Sequence, residues 1–416
     1  MVRHVATSVR AEGTKTQPGQ RVTTDTKAPT AAPTNGTAAI LVHQPSPWLS
    51  ADTACKLLGE TPWNPDTSAF SGALNASLPY QSRLGVFPAT QQYWVAKSTA
   101  NSTACRSIDA GGKTGPAECA AELPVLCTQS APLSNNTYAD NGAAWQVTQA
   151  VNQTLVTGFR DAHTWKFRGL RYARRPTRFG YSEGAYLEGG EIAAVSPGAD
   201  CAQPVGEVKN GSSEDCLFLN VWTPHLPRMA GARKAELRPV MVYLYGGGFT
   251  SGSGKNPNTD GTNLASRGDV VSVSVNYRVG NLGFLAFNDG VHKGNYALSD
   301  MITALEWVKQ HIQYFGGDAD RVTLFGESAG AQATHILLGS PKARGLFHRA
   351  IMQSDPQGYP RDGKFSWMTY DTLERAYNGG TKRVLNQTGC LGAQDEVACL
   401  GKLSGLDIVN LPTNVK

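Results

Sequence analysis

The sequence has no apolar run long enough to cross a membrane, so we expect no transmembrane segment. It also lacks a block of clustered lysine and arginine, since its net charge of +5 is spread over 416 residues. A nucleic-acid-binding surface would need such clustering, and we therefore expect no nucleic-acid partner. None of the eight cysteines forms a Cys-x-x-Cys pair, which argues against a zinc or redox centre. The sequence predicts neither a bound metal nor another cofactor.

Large apolar side chains are almost missing from residues 1–40, which are rich in Thr, Ala, Pro and Gly. Such a segment cannot bury enough apolar surface to offset the conformational entropy of the chain, so we predict that it is disordered. Its beginning also lacks the apolar core of a signal peptide. Either the protein is exported by another route or its true start lies upstream, and we favour an upstream start.

The cysteines are even in number and fall into local groups of four, two and two: Cys55, Cys105, Cys119 and Cys127, then Cys201 and Cys216, then Cys390 and Cys399. An even count in local groups is typical of disulfides. Asn-x-Ser/Thr sequons begin at Asn35, Asn75, Asn101, Asn135, Asn152, Asn210 and Asn386. Together these features favour a secreted, extracellular glycoprotein.

Residues 41–130 form a small block that contains four of the cysteines, which is typical of a disulfide-stapled module. A cysteine in the helix-like stretch ADTACKLLG is followed by the strand-like YWVA, a middle cysteine and the closing stretch CAAELPVLC. This order resembles a C-type lectin-like domain, and the resemblance implies the pairs Cys55–Cys127 and Cys105–Cys119. No Glu-Pro-Asn or Trp-Asn-Asp calcium signature accompanies it, so sugar binding is not supported. An unclassified spacer is the alternative.

From residue 145 to residue 416 the chain alternates strand-like and helix-like segments. Three continuous apolar runs, RPVMVYLYGG, DVVSVSVNYR and DRVTLFGES, are typical of buried parallel strands. Between the second and the third, residues 299–317 repeat apolar side chains at a helical period. Ser299 or Asp300 is a candidate cap for this helix, and Gly316 is its predicted end. Strand, helix and strand in this order predict an α/β fold with a parallel sheet.

The chemistry of the sequence centres on Ser328, in the pentapeptide Gly326-Glu327-Ser328-Ala329-Gly330. It follows a predicted strand and precedes a small-residue helical stretch, which is the context of a Gly-x-Ser-x-Gly nucleophile elbow. The alternative is a strand-to-helix turn in which the serine is only a cap.

A second motif, Gly246-Gly247-Gly248-Phe249, follows another predicted strand. Consecutive glycines allow two backbone N–H groups to point at one atom, as in the oxyanion hole of acyl-transfer enzymes. One such donor is typically worth about 3–4 kcal/mol of transition-state stabilisation. Because this loop comes after a buried strand and before the elbow, we favour an oxyanion loop over a loop without a role.

The chain from about Trp145 onward resembles the type-B carboxylesterase/lipase family, the cholinesterase-like branch of the α/β-hydrolases. The stretches that carry the resemblance follow in family order: WKFRGLRYARRPTRF, SEDCLFLNVWTP, VYLYGGGFTSGSG, VSVNYRVGNLGFL, GNYALSDMITALEWV, FGGDADRVTLFGESAGA and GLFHRAIMQS. The resemblance implies an α/β-hydrolase fold, a mostly parallel sheet with helices on both faces, which we expect to be incomplete at the C-terminus. It also implies the two loop disulfides of the family, Cys201–Cys216 and Cys390–Cys399.

Carried over residue by residue, the resemblance makes Ser328 the nucleophile. It gives the backbone N–H groups of Gly247, Gly248 and Ala329 the role of oxyanion-hole donors, and it makes Glu327 a pocket-facing residue. The family cleaves carboxylic esters through a serine acyl-enzyme, so a small-molecule or lipid ester is the implied substrate. Neither the particular ester nor the oligomeric state follows from the sequence.

The base that a serine nucleophile needs is missing from the sequence, because no histidine stands in the catalytic context of the family. The family places its acid and its histidine far beyond the serine, whereas this chain ends soon after Ser328. His335 follows Ser328 by two helical turns, roughly 10 Å at about 1.5 Å per residue. A general base must come to about 3 Å, so we expect His335 to be structural.

Three interpretations therefore remain open. In the first, the chain is a carboxylic ester hydrolase whose gene model stops early, so that the triad acid and histidine are missing and the chain as written is inactive. In the second, it is a noncatalytic cholinesterase-like binding or adhesion protein. In the third, it is an inactive fragment. We favour the first, because noncatalytic members often lose the serine and this chain keeps an intact elbow.

Overall fold

The computed structural model describes residues 20–24, 38–66, 78–79, 82–83, 87–98, 102–184, 187, 189–204, 212–227, 237–356, 360–361, 364–365 and 371–411. This part of the chain is organised around two large β-sheets, one of six strands near the N-terminus and one of nine strands after it. None of its helices combines the length and the apolar character needed to cross a bilayer.

The six-stranded sheet builds the N-terminal module. Its elements are β1 (Gln20–Thr24), β2 (Ala38–Ser46), α1 (Trp48–Leu57), β3 (Gln92–Val95), β4 (Cys105–Asp109), β5 (Thr114–Ala117) and β6 (Leu123–Thr128). The strand order is β1-β2-β6-β3-β4-β5, so the two ends of the module pair antiparallel through β2 and β6. The disulfide Cys55–Cys127 ties α1 to β6, and Cys105–Cys119 ties β4 to the loop before β6.

The prediction of disorder over residues 1–40 is wrong for two stretches. Gln20–Thr24 form β1, and β2 already begins at Ala38, with Val22 opposite Ile40 in the ladder. An edge strand is held largely by main-chain hydrogen bonds, so it needs few large apolar side chains. Composition reports on side-chain burial alone, so it gives no sign of such a strand. Residues 1–19 and 25–37 lie outside the described residues.

The second region contributes strands β7 to β19. They are β7 (Gln146–Val151), β8 (Thr154–Arg160), β9 (Trp165–Arg171), β10 (Gly190–Ala193), β11 (Asp200–Cys201), β12 (Ser212–Ser213), β13 (Phe218–Thr223), β14 (Arg238–Leu244), β15 (Val271–Val275), β16 (Gly317–Glu327), β17 (Arg349–Gln353), β18 (Pro360–Arg361) and β19 (Lys364–Phe365). The large sheet has the order β10-β8-β9-β13-β15-β14-β16-β17, and β7 pairs with β8. β11 with β12 and β18 with β19 form two small separate pairs.

The large sheet is antiparallel in its middle and parallel at its end, and β10 pairs parallel with β8 at its beginning. β13 pairs antiparallel with β9 and β15, whereas β14 pairs parallel with β15 and β16, and β16 pairs parallel with β17. The three apolar runs of the sequence are β14, β15 and β16. The prediction of an α/β fold with a parallel sheet is confirmed.

Helices connect and cover these strands. They are α2 (Thr262–Gly268), α3 (Gly280–Phe284), α4 (Tyr296–His311), α5 (Ala329–Gly339), α6 (Leu373–Ala376), α7 (Lys382–Gln387), α8 (Glu396–Gly401) and α9 (Gly405–Val409). A 3-10 turn, Ile312–Phe315, continues α4, and a π-helical turn, Tyr377–Thr381, joins α6 to α7. The disulfide Cys390–Cys399 closes the loop between α7 and α8.

The predicted cap of α4 is wrong, although its predicted end is confirmed. The helix begins at Tyr296, after Asn295 in a left-handed conformation, and the 3-10 turn that follows it ends at Gly316 with φ 83°. Asp300 lies inside the helix, fully buried, where its carboxylate accepts two hydrogen bonds from the guanidinium of Arg278, one of them at 2.7 Å. A buried arginine needs this partner more than the helix needs a side-chain cap, because an unpaired buried charge is far more costly.

The core of the large sheet is centred on β15, whose five residues are all buried. Such a strand is covered on both faces, which is the usual setting of parallel strands. β17, at the end of the strand order, is different: Ile351 and Met352 are 44% and 39% exposed. Within the described residues, the sheet is therefore well covered at β15 and open at β17.

The module and the large sheet are joined by buried charges. The carboxylate of Glu60, in the loop after α1, lies 2.6 Å from the guanidinium of Arg160 at the end of β8, and both side chains are only 2% exposed. Glu60 also accepts hydrogen bonds from Thr128 and from the main chain and hydroxyl of Ser130. Arg160 donates to the carbonyl of Leu58. With every partner in place, this ion pair holds the module in a fixed position on the sheet.

Removing the arginine of this pair should destabilise the fold. Arg160→Met would leave the Glu60 carboxylate buried without a cation, which typically costs about 3–5 kcal/mol. Urea unfolding at neutral pH measures the loss. Arg375→Met is the matched control, because its ion pair with Asp371 is exposed and such pairs contribute less than about 1 kcal/mol. If the free energy of unfolding fell by the same small amount in both variants, Arg160 would not be needed to hold the N-terminal module on the large sheet.

A buried histidine makes stability depend on pH. His311 is 4% exposed, its ring centroid lies 5.2 Å from that of Trp307, and neither ring nitrogen has a hydrogen-bond partner among the described residues. Burial lowers its pKa. In the unfolded chain a histidine has a pKa of about 6.5. Below that pH the unfolded state therefore binds a proton at His311 more readily than the folded state does. Stability that is present above about pH 6.5 is therefore lost as the pH falls towards the folded-state pKa.

His311→Phe should reduce this loss, because phenylalanine fills the site and does not titrate. The free energy of unfolding in urea, compared between neutral pH and about pH 5, should fall less in the variant than in the wild type. Burial also lowers the pKa of His163, so some dependence should remain. His335→Gln, on the surface of α5, is the control. An unchanged pH dependence in His311→Phe would contradict the assignment.

Candidate active site

Ser328 stands at a sharp turn between β16 and α5, with φ 54° and ψ −119°. A side chain other than glycine rarely adopts such a backbone, so the surrounding structure must hold it there. The glycines on either side make the turn possible. A methyl group on Gly326 would overlap with the main chain of Gly330, and one on Gly330 would overlap with the carbonyl of Leu244 in β14. The pentapeptide is therefore an elbow packed directly onto the neighbouring strand.

The backbone of the elbow is anchored, whereas its hydroxyl is left open. The N–H of Ser328 donates to the carbonyl of Gln353 in β17 at 2.9 Å, and its carbonyl accepts from Gln332 in α5. The residue is half-buried, and its hydroxyl has no hydrogen-bond partner within the part of the chain that the structure describes. The hydroxyl therefore takes no part in holding the described fold together.

The glycine loop after β14 lies against the elbow. A methyl group on Gly246 would come within 2.7 Å of the carbonyl oxygen of Glu327 and within 3.1 Å of the Cβ of Ser328. Gly247 and Gly248 have φ of 117° and 62°, a region that glycine enters without strain. The carbonyl of Gly247 accepts the next N–H groups of the loop, which closes it into a tight turn.

Several N–H groups around the elbow have no hydrogen-bond partner among the described residues, and three of them belong to Gly247, Gly248 and Ala329. Those of Gly247 and Gly248 donate no hydrogen bond to any described residue, and that of Ala329 is the first donor of α5, where a helix leaves its N–H groups unsatisfied. These are the three donors that the family resemblance implied. Free donors beside a serine hydroxyl are what an oxyanion requires.

Two stacked tyrosines support the strand that carries this loop. The rings of Tyr245 and Tyr277 lie 4.0 Å apart and nearly parallel, and each hydroxyl donates to the main-chain carbonyl of the other residue. Burial raises the pKa of Tyr245 far above its ordinary value, so its phenol stays protonated and keeps donating. The pair fixes the end of β14 relative to the chain that follows β15.

A glutamine from the disulfide loop clamps the other end of the glycine loop. The side-chain amide of Gln203 donates to the carbonyl of Gly252 and accepts from its N–H, both at 2.9 Å. Gln203 is 2% exposed and follows Cys201, which is bonded to Cys216. The clamp therefore links the disulfide to the loop that presents Gly247. No sequence signal marked Gln203 or Tyr277, because their partners are main-chain atoms of residues distant in the sequence.

Glu327 points into an open pocket next to the elbow. The pocket has a volume of about 890 Å³ and is also lined by Gly246, Gly247 and Tyr243. Burial, and to a smaller extent the charge of Glu327, raise the pKa of Tyr243. The glutamate thus lies in a position to act on a bound molecule through its charge.

No described histidine contacts the Ser328 hydroxyl. His335 instead faces Asp355, with its Nδ1 3.1 Å from the carboxylate, and His348 accepts from the N–H of Val322. His4 lies outside the described residues. The described residues also contain no group of three His, Cys, Asp or Glu side chains that could hold a metal ion. Among the described residues, the site therefore combines an open serine hydroxyl and N–H groups without partners, and no histidine is in contact with the hydroxyl.

Comparisons with known proteins all find carboxylesterases and related esterases. Residues 147–414 match the model of the Carboxylesterase family. The chain is 37% identical over 256 residues to acetylcholinesterase-1 of Trittame loki, covering 58% of this chain and 44% of that protein. It is 39% identical over 220 residues to para-nitrobenzyl esterase of Bacillus subtilis (strain 168), covering 50% and 43%.

A solved structure of a PNB esterase is similar as well, with a TM-score of 0.53 at 32% identity, over 63% of this chain and 52% of that one. The chain spans about half the length of the curated relatives it matches.

The Gln203 clamp can be tested without any turnover. Gln203→Met keeps the volume of the side chain but leaves the N–H and carbonyl of Gly252 without partners, which typically costs about 1–3 kcal/mol. Hydrogen exchange followed by mass spectrometry should show faster exchange across residues 246–254. Gln313→Met, at an exposed position, is the control. Unchanged exchange across residues 246–254 in Gln203→Met would show that another contact holds the loop.

Proposed function

Because this chain belongs to the carboxylesterase family, we propose that Ser328 is the nucleophile position of a carboxylic ester hydrolase, whose base the described residues do not supply. The family matches confirm the α/β-hydrolase fold class that the sequence resemblance implied. The observation that carries the proposal is the elbow itself: an open serine hydroxyl on a strained turn, beside N–H groups without partners. A serine that only capped a helix would have no need of that backbone strain.

The proposed reaction has two halves. The Ser328 oxygen attacks the ester carbonyl carbon while its proton passes to a base, and the carbonyl oxygen becomes an oxyanion that the N–H groups of Gly247, Gly248 and Ala329 stabilise. The intermediate collapses, the alcohol leaves with a proton, and the acyl group stays on the serine oxygen. Water then attacks the acyl carbon in the same manner, releasing the carboxylic acid and restoring the hydroxyl.

The base and the acid of this scheme are not supplied by the described residues at Ser328. We therefore propose that the 416-residue chain is a negligible esterase. Loss of the triad residues costs up to about 10⁶ in kcat in a serine protease, while the oxyanion hole still leaves weak catalysis. A noncatalytic binding or adhesion protein is the second candidate, and the absence of a described histidine at Ser328 is the observation that favours it.

The substrate is proposed to be a small-molecule or lipid ester. The names of the relatives, acetylcholinesterase, para-nitrobenzyl esterase and bile salt-activated lipase, refer to quite different esters. The names of these relatives therefore support an ester bond as the reacting group, and they do not indicate which acyl or alcohol group is attached to it.

We also propose an extracellular, glycosylated protein. All eight cysteines are paired in the structure, which suits an oxidising compartment. The three sequon asparagines that the structure describes, Asn135, Asn152 and Asn386, are all exposed. The other four lie outside the described residues. The N-terminal module, a helix between paired terminal strands with two internal disulfides, supports the proposed C-type lectin-like domain.

Two variants of Ser328 test separately whether this position can carry a nucleophile and whether a base activates the serine. With p-nitrophenyl acetate, wild type and Ser328→Ala should hydrolyse the ester at the same background rate, because the serine has no base. Ser328→Cys should instead be acetylated once per chain, since a thiol with a pKa of about 8.5 is partly ionised without help. Mass spectrometry should find the acetyl group on residue 328.

Ser340→Cys, beyond the end of α5, is the matched control for the thiol. The oxyanion donors should make acetylation at position 328 at least about tenfold faster than at position 340, since a single donor is worth about 10²–10³ in a complete enzyme. Equal rates would contradict the oxyanion assignment. Ser328-dependent turnover by the wild type at ordinary enzyme rates would show instead that the chain has its own base.

A further inference from the structure

The strand β17, which accepts the main-chain N–H of the proposed nucleophile, is weakly held by the rest of the large sheet. It lies at the end of the strand order, β16 is its strand partner among the described residues, and four of its five residues are exposed. Yet the carbonyl of Gln353, its last residue, accepts the N–H of Ser328 at 2.9 Å. The left-handed backbone of the elbow therefore depends on the position of an edge strand.

A histidine contact lies at each end of β17. At its start, the N–H of His348 donates to the carbonyl of Val322 in β16, and the Nδ1 of its ring accepts the N–H of the same residue. Just beyond its end, the Nδ1 of His335 in α5 lies 3.1 Å from a carboxylate oxygen of Asp355. An ionised carboxylate only accepts hydrogen bonds, so the ring nitrogen donates. This second contact joins the chain after β17 to the helix that follows Ser328.

The backbone between Gln353 and Asp355 forms a sharp bend. Ser354 has φ 54°, a left-handed conformation that serine rarely adopts, and Pro356 disfavours the helical conformation for Asp355. Ser328 also has φ 54°, so a strained serine stands on each side of the hydrogen bond between Ser328 and Gln353. Strained residues persist only where the surrounding structure holds them. The bend therefore needs a contact that fixes it, and the side chain of Asp355 makes one.

The carboxylate of Asp355 is buried at a cost in free energy. Its side chain is 17% exposed, whereas that of His335 is 46% exposed. One carboxylate oxygen is fully buried and has no hydrogen-bond partner among the described residues, and the other is bonded to His335. Burial of a charged group with so few partners is unfavourable, so a carboxylate without a task here would turn towards water. Asp355 is instead turned inwards, where it reaches α5.

We propose that Asp355 and His335 are positioning residues for the proposed nucleophile. By fastening the bend after β17 to α5, the pair keeps the carbonyl of Gln353 on the N–H of Ser328 and holds the elbow in its left-handed form. Neither side chain forms a hydrogen bond with the Ser328 hydroxyl, so both act through the main chain of Gln353. The inference rests on the proposed function for the role of Ser328, whereas the hydrogen bond itself can be measured without an ester.

The first test follows this hydrogen bond in the full chain with Ser328 in place, by amide hydrogen exchange resolved by NMR. Exchange at the N–H of Ser328 should be at least about tenfold faster in Asp355→Ala than in the wild type, because the bond opens locally. Asp355→Asn keeps an oxygen that accepts from His335 and should restore exchange to within about twofold of the wild type. The N–H of His348, at the other end of β17, should exchange as in the wild type, which separates a local effect from a loss of overall stability.

The second test measures reactivity at the elbow in the full chain carrying Ser328→Cys. With p-nitrophenyl acetate, adding Asp355→Ala or His335→Ala should slow acetylation of residue 328 at least about fivefold, because a displaced nucleophile reacts more slowly. The two changes together should slow it no further, because the residues act as one unit. Asp289→Ala is the matched control: Asp289 lies 2.6 Å from the Nδ1 of His292 in another loop, so its loss should leave acetylation unchanged.

Unchanged exchange at Ser328 in Asp355→Ala, equal exchange in Asp355→Asn and Asp355→Ala, or additive effects of the two alanine variants on acetylation would each overturn the inference. His335→Ala, at an exposed position of α5, keeps both tests valid if Asp355→Ala does not fold. If Ser328→Cys itself reacts no faster than Ser340→Cys, the proposed function fails alone, because exchange at the N–H of Ser328 still decides whether the pair holds the elbow.

Discussion

The site depends on one close approach of main chain to main chain. Gly330, at the start of α5, packs against the carbonyls of Leu244 and Tyr245 in and after β14, with no room for a side chain. That contact brings the N-terminus of α5 over the end of the sheet and forces Ser328 into a left-handed turn. The strain of the turn, of order 1–3 kcal/mol for such a residue, is offset by the packing of the strands around it.

The same constraint explains the density of glycine around the serine. Gly246 cannot carry a side chain because Glu327 and Ser328 lie against it, and Gly252 cannot because the ring of Tyr245 does. Close backbone packing keeps the main chain of the glycine loop beside that of the elbow, where the proposed oxyanion donors lie. Glycine is needed at these positions because neighbouring segments lie too close for a side chain, as well as for its conformational freedom.

Side chains from elsewhere hold these loops where they are. Gln203 clamps the glycine loop from the Cys201–Cys216 disulfide, and Lys166 and Arg168 hold residues 134–136, which connect the N-terminal module to the large sheet. In each case a buried side chain satisfies main-chain groups of an irregular segment, which would otherwise lose their hydrogen bonds on burial. The module is consequently a fixed part of the molecule, and its connection, which lines the pocket at Asn136, is fixed with it.

The sequence by itself determined what depends on local pattern. Apolar runs identified β14, β15 and β16 because buried parallel strands need them, and Gly-x-Ser-x-Gly marked the elbow because its packing requires glycine at Gly326 and Gly330. Only the tertiary structure decided the strand β1, the left-handed start of α4, the Gln203 clamp and the place of Asn136 in the pocket lining. Gln203 and Asn136 bond to the main chain of Gly252 and Asn256, and β1 pairs with the main chain of β2. Main-chain groups are the same at every position, so no residue pattern records such partners.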